Sequence, residues 1–248
     1  MRDRTTIAAA LATALLAAAP ALAWTGPTRV RMIDDAVKMM PPSLKAVLEH
    51  RRDSVLRGML LPMTEEDGPG HRPPFDGGTV DASVEAARRD LVASAEKRLT
   101  FDEIAMRFGA LAHFVADAGF PPGAAGSAGD RRYAHFASFC ETRRPRFPLV
   151  FYGHDNASLA RGDFRAFAVG IVERAREQDG DLARAYAAAP SWNDPASFDD
   201  RSVPFAVASL SYSHSVTDIV QSWIAAWKLC HGDVGGTPYM TEQRAASK

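Results

Sequence analysis

The chain has 248 residues, 46% of them hydrophobic, and its 29 Lys and Arg against 30 Asp and Glu leave a formal charge of −1. Such a balance gives no global basic field of the kind that draws a protein to nucleic acid, although a local basic groove is compatible with it. No G-x-S-x-G, glycine-rich phosphate loop or Cys-x-x-Cys is present, so serine-nucleophile hydrolysis has no local support.

Arg2 and Arg4 precede an apolar Ala/Leu run from Ile7 to Ala19. The run has the length of a secretory h-region and is too short to span a bilayer. Ala21-Leu22-Ala23 puts small residues at the two positions a signal peptidase reads. Residues 1–23 are therefore expected to be a signal peptide, with a mature chain that opens at Trp24 and is periplasmic or extracellular. A retained N-terminal anchor is the other reading of the same run. The expected mature chain, residues 24–248, suits one domain with a substantial core, and no later run is apolar and long enough for a membrane span. In an exported protein Cys140 and Cys230 either form a disulfide, closing a loop of about 90 residues worth roughly 4–5 kcal/mol before strain, or stay as free thiols.

Helical signals dominate the chain from Val30 onward. Residues 30–40 and 43–60 read as two helices separated by Pro41-Pro42, with Ser43 as an N-cap candidate. Residues 63–80, rich in Gly, Pro and acid, read as a long loop, and residues 81–98 as a charged amphipathic helix. Thr100 and Glu103 have capping-box spacing. From there Ile104, Phe108, Leu111 and Val115 mark a buried stripe, with Met106, Ala110, His113 and Asp117 roughly opposite. A helix of that kind is expected at the centre of a bundle. Pro121-Pro122-Gly123 ends it. Further helices are expected over 131–143, 157–177 and 180–188, and a last long one runs from near Pro204 towards Cys230. No alternating strand pattern is convincing, so the fold class is all-α, a single-domain helical bundle with long loops around a central cleft.

His113 and Asp117 stand four residues apart and hence side by side on one helical face, where they can share a metal ion or simply hydrogen-bond. The same spacing in His214 and Asp218 reads as structural, because nothing near them in sequence completes a site. His71 lies in a loop between Asp67 and Asp76, the kind of segment that presents ligands. His135 opens a helical stretch, with Glu141 six residues on and off its face. Trp223 and Trp227 read as core or interface aromatics.

Taken together, WTGPTR, KMMPPSLKAVLEHRRDSV, GPGHRPPFD, FGALAHFVADAGFPPG, AHFASF and VQSWIAAWKLCHG resemble the superfamily of zinc-dependent phospholipases C and single-strand-specific nucleases. The resemblance covers most of the mature chain, with Trp24 and HFVAD its most specific parts. It implies an exported all-α phosphodiester hydrolase acting on lipid headgroups or nucleic acid, in which the amino group and carbonyl of the first Trp bind zinc. Carried over residue by residue, it assigns metal binding to Trp24, His71, His113, Asp117 and His135. The departures are as specific. Arg29 stands where the family has its first histidine, Gly123 where another histidine follows the helix motif, Phe139 where an acid follows His135, and Met63 where a carboxylate follows Pro62.

The surviving ligands suit one or two zinc ions rather than the family's three. Asp67 is the candidate base, and Arg29 has two candidate roles. Its guanidinium can hold a substrate phosphate, or it can occupy the place of a lost cation and neutralise Asp117. Two functions are expected on these grounds: a phosphodiester hydrolase with a reduced centre, and a catalytically inactive relative that uses the old cleft as a binding or scaffold protein.

Overall fold

The computed structural model describes residues 23–62, 68–126, 131–189, 192 and 197–240. Among them ten α-helices and three short 3-10 turns form one all-α domain, and there is no strand. Helices α1 (Gly26–Val37), α2 (Pro42–His50) and α3 (Arg52–Leu60) come first. Two 3-10 turns, Pro69–His71 and Pro74–Asp76, lead into α4 (Val80–Glu96) and α5 (Phe101–Ala118). Beyond them lie α6 (Pro121–Ala124), α7 (Arg131–Arg143), α8 (Ala157–Ala160), α9 (Phe164–Ala188) and α10 (Val203–Leu229).

Helix α5 is the axis, with α1, α3, α4, α9 and α10 all packed against it. Its start is set locally: the Thr100 side chain accepts the Glu103 N–H at 3.3 Å while the Glu103 carboxylate accepts the Thr100 N–H at 3.0 Å. Ile104, Phe108, Leu111 and Val115 are all buried, as the periodicity predicts. So are His113 and Asp117, because neighbours cover that face too. The Trp223 indole of α10 donates to the Phe108 carbonyl at 2.9 Å, pinning the longest helix to the central one.

Helices α3 and α5 approach with their backbones in contact, and two glycines permit it. A Cβ on Gly58 would lie 1.9 Å from the Met106 carbonyl oxygen, and one on Gly109 would lie 2.0 Å from that of Val55. Backbone meets backbone, so no side-chain rotation can relieve either clash.

Local expectation and tertiary outcome part in three places. Helix α1 starts at Gly26 with Pro27 in its first turn, four residues earlier than the hydrophobic pattern predicts, and this makes Arg29 a helical side chain. The expected 43–60 helix breaks at Arg51 (φ −112°, ψ 30°), a position that no Gly or Pro marks. Conversely, α9 runs straight through Gly180, where burial of Leu182 and Tyr186 offsets the roughly 1 kcal/mol that a helical glycine costs. The preceding reversal falls at Gly162 (φ 74°), and Asp163 caps α9 by accepting the Ala166 N–H.

An extended segment, residues 147–153, lies along α10 and takes its backbone partners from side chains. Ser213 accepts from the Val150 N–H and donates to the Pro148 carbonyl, Thr217 accepts from the Tyr152 N–H, and Gln221 donates to the Gly153 carbonyl. These three residues recur every four positions, so one face of α10 serves as the segment's hydrogen-bonding edge. Cys140 and Cys230 are free thiols. Among the described residues no helix is long and apolar enough to cross a membrane.

The two glycine contacts give a directional expectation. Gly58→Ala and Gly109→Ala should each destabilise the fold by about 2–3 kcal/mol. Gly170→Ala, at a helical position where a Cβ meets nothing within 4 Å, should stabilise it by about 0.5–1 kcal/mol. Urea denaturation of the three variants checks both signs.

Candidate metal centre

The site forms where α5, the end of α3 and the turn at Pro69–His71 meet. That turn belongs to a loop closed by two backbone bonds, Thr79 N–H to the Pro69 carbonyl at 2.7 Å and Val80 N–H to the Arg72 carbonyl at 3.0 Å. Gly78 makes the closure possible, since a Cβ there would lie 2.1 Å from the Arg72 oxygen. The closed loop lowers His71 onto the last two turns of α5.

Three potential ligand atoms converge there. His71 Nδ1 is 2.7 Å from Asp117 Oδ2, His113 Nε2 is 3.0 Å from the same oxygen, and the two ring nitrogens are 3.3 Å apart. A tetrahedral zinc with bonds of about 2.0–2.2 Å separates its ligand atoms by about 3.3–3.6 Å, so expansion by a few tenths of an ångström would admit such an ion. Among the described residues this is the one group of three or more His, Cys, Asp or Glu with such convergence.

His113 Nδ1 lies 2.8 Å from the Met59 carbonyl oxygen and 3.2 Å from Arg29 Nη1, while Nε2 faces Asp117 Oδ2 at 3.0 Å, so the ring is held at both nitrogens. The Gly58–Gly109 approach is what brings that carbonyl within reach. Burial lowers the pKa of His113 against the pull of Asp117, favouring the neutral ring. The same carboxylate oxygen, Asp117 Oδ2, faces both imidazoles, at 2.7 and 3.0 Å.

Arg29 closes the other side. It is fully buried. Its Nε donates to the Trp24 carbonyl at 2.7 Å, Nη1 to the His113 carbonyl at 3.4 Å, and Nη2 to Asp117 Oδ1. Burial alone would raise the Asp117 pKa. The Arg29 charge, with His113 and His71, instead holds the carboxylate well below its usual range. Trp24 is also buried, its indole edge-on to Phe120 and Tyr212.

Of the residues singled out from sequence, Trp24, Arg29, His71, His113 and Asp117 thus form one network, in which Arg29 Nη1 lies 3.2 Å from His113 Nδ1 as well as 3.4 Å from its carbonyl oxygen. His135 is not part of it. Its Nδ1 pairs with the Tyr186 hydroxyl at 2.6 Å and its ring packs on Trp192 and Phe198. Asp67 lies outside the described residues. His214 and Asp218 do not pair either: His214 stacks on Tyr152, and Asp218 bonds Arg174. Sequence reasoning missed the Met59 carbonyl, since a backbone oxygen leaves no residue-type signal. It also missed that Glu141 accepts from Thr25 and Thr28, tying α7 to the start of α1.

A groove of about 480 Å³ between α3, α4 and α5 is lined by apolar side chains such as Leu61, Ala87, Met106 and Ala110, together with the charged Asp90 and Arg107. It reaches Phe114, whose ring is 5.3 Å from that of His71 and 5.2 Å from that of His113. Compared with known protein families, curated proteins and solved structures, the chain matches none.

The ring on α10 makes a pH prediction independent of the cluster. Burial, with the nearby Arg174 charge, pushes His214 down to about 4. The unfolded ring protonates near the ordinary value of about 6.5, so the unfolded state binds more protons between these values and stability falls as pH drops through that window. After allowance for the ring's solvent access this amounts to roughly 1–2 kcal/mol. Subtracting the pH 4.5 to 7 stability profile of His214→Gln from that of the parent isolates the contribution, which should be larger at the acidic end.

Proposed function

We propose that the protein is an exported metal-dependent phosphodiester hydrolase of the phospholipase C and nuclease type, with a single-metal centre at His71, His113 and Asp117. The observation that carries the reading is the convergence of Nδ1, Nε2 and Oδ2 within 3.3 Å of one another. Zinc suits this nitrogen-rich donor set, and three protein ligands leave a position open. Met59 orients His113 through its carbonyl, as the partners behind metal-ligating histidines commonly do. The groove that reaches Phe114 supplies a wall against which the apolar part of a phosphoester can lie. When bound, a divalent ion supplies Lewis acidity toward a phosphoryl oxygen. The chain's own part is to hold the three donors, keep water from the inner side, and neutralise Asp117 from behind with Arg29.

A second reading, an inactive relative that binds a ligand or partner through the same face, is favoured by the pairing of Arg29 with Asp117. That ion pair lets the carboxylate stay folded and charged without metal.

Metal content and turnover separate the two. The mature protein should take up one zinc per chain and hydrolyse bis(4-nitrophenyl) phosphate in a zinc-dependent, chelator-sensitive way. His113→Ala and Asp117→Asn should each abolish zinc uptake and lower turnover by at least about 100-fold. Zinc uptake without turnover, also on phosphatidylcholine micelles and single-stranded DNA, would select the binding protein. No zinc uptake at saturating metal would remove the metal reading altogether.

A further inference from the structure

The guanidinium of Arg29 occupies a small polar chamber. Its nitrogens meet oxygens of Trp24, His113 and Asp117, with Nη1 also 3.2 Å from His113 Nδ1, and no part of the side chain reaches solvent. Removing such a cation from water is costly, and one carboxylate with two carbonyls is the compensation offered. The carboxylate is shared: Oδ1 faces Arg29, while Oδ2 faces His71 and His113. Arg29 therefore takes one of the two oxygens of Asp117 out of reach of any incoming ion. It also sets a permanent positive charge one carboxylate away from the point where the ring nitrogens converge.

Elementary electrostatics attaches two consequences to this placement. A divalent ion at the ring nitrogens is repelled by Arg29 and attracted by a carboxylate already half engaged, so it binds less tightly than the ligand set alone would allow. The ion is also not needed to hold Asp117 in position, because the guanidinium does that. We propose that Arg29 is the built-in cation of this centre, a positioning residue that holds Asp117 in place with or without metal and limits the site to one exchangeable divalent ion. The proposal rests on the metal reading above. It adds that occupancy follows the free metal concentration and that the fold does not depend on it.

The test compares zinc affinity, by competition with a chromophoric chelator, and thermal stability in the parent, Arg29→Met and Arg29→Ala. A merely structural arginine predicts weaker zinc binding when it is lost. The built-in cation predicts the reverse, with Arg29→Met binding zinc about tenfold more tightly than the parent. Arg29→Ala opens a chamber of guanidinium shape. Low-millimolar methylguanidinium should raise its melting temperature saturably, by at least half of the deficit, and should weaken its zinc binding towards that of the parent. The parent should respond to neither, and sodium chloride at equal ionic strength should not substitute.

Should Arg29→Ala fail to fold alone, recovery of soluble protein on refolding with methylguanidinium is the equivalent readout. Unchanged or weaker zinc binding in Arg29→Met, or no response of Arg29→Ala to methylguanidinium, overturns the proposal. Zinc binding by none of the three proteins overturns the metal reading and the exchangeable ion with it. The methylguanidinium response then still decides whether Arg29 acts as the cation that holds Asp117.

Discussion

The buried contact of Arg29 with Asp117 constrains the rest of this molecule. An uncompensated carboxylate in the middle of a helical bundle would be untenable, and so would an uncompensated guanidinium. Each is tolerable because helix α1 begins early enough to carry Arg29 across α5, and because Trp24 and His113 contribute their carbonyls to the remaining donors. The segment that opens at Trp24 is thereby built into the core: Trp24 is held through its backbone by Arg29 and through its indole by Phe120 and Tyr212. Thr25 and Thr28 attach the same segment to Glu141 on α7.

Close helix packing then tunes the other half of the site. Gly58 and Gly109 let α3 lie on α5 with backbones in contact, and that contact puts the Met59 carbonyl beside His113. Side chains of ordinary size at those positions would push the carbonyl away and break its 2.8 Å contact with His113 Nδ1. Packing and the orientation of the imidazole are here a single feature. The same logic governs the histidine loop, where Gly78 permits the closure that brings His71 over Asp117. Three glycines, none of them chemically active, decide where the active atoms stand.

The charge arrangement around Asp117 separates two tasks that a metal ion could perform together. Neutralising a buried carboxylate is done by the protein itself. On the proposed reading, offering an open coordination position is left to an ion held by the two histidines and Oδ2, and a centre divided in this way would keep its fold without its ion.

Much of this was legible from residues alone. The capping box at Thr100, the 3.6-residue stripe through Val115 and the i, i+4 pair His113/Asp117 are local facts, readable because helix start, helix face and side-by-side spacing depend only on nearby sequence. The all-α class rests on the same periodicities. The tertiary structure decided what lies far apart in sequence. It determined that Arg29 turns inward to Asp117, 88 positions on, that His71 arrives across 46 residues, and that a Met59 backbone oxygen stands 2.8 Å from His113 Nδ1. It also determined that His135 belongs to an aromatic cluster elsewhere. Spacing along one helix is fixed by covalent geometry, whereas convergence of separate segments is fixed by which backbones can approach, and in this protein that depends on glycines whose importance no local pattern reveals.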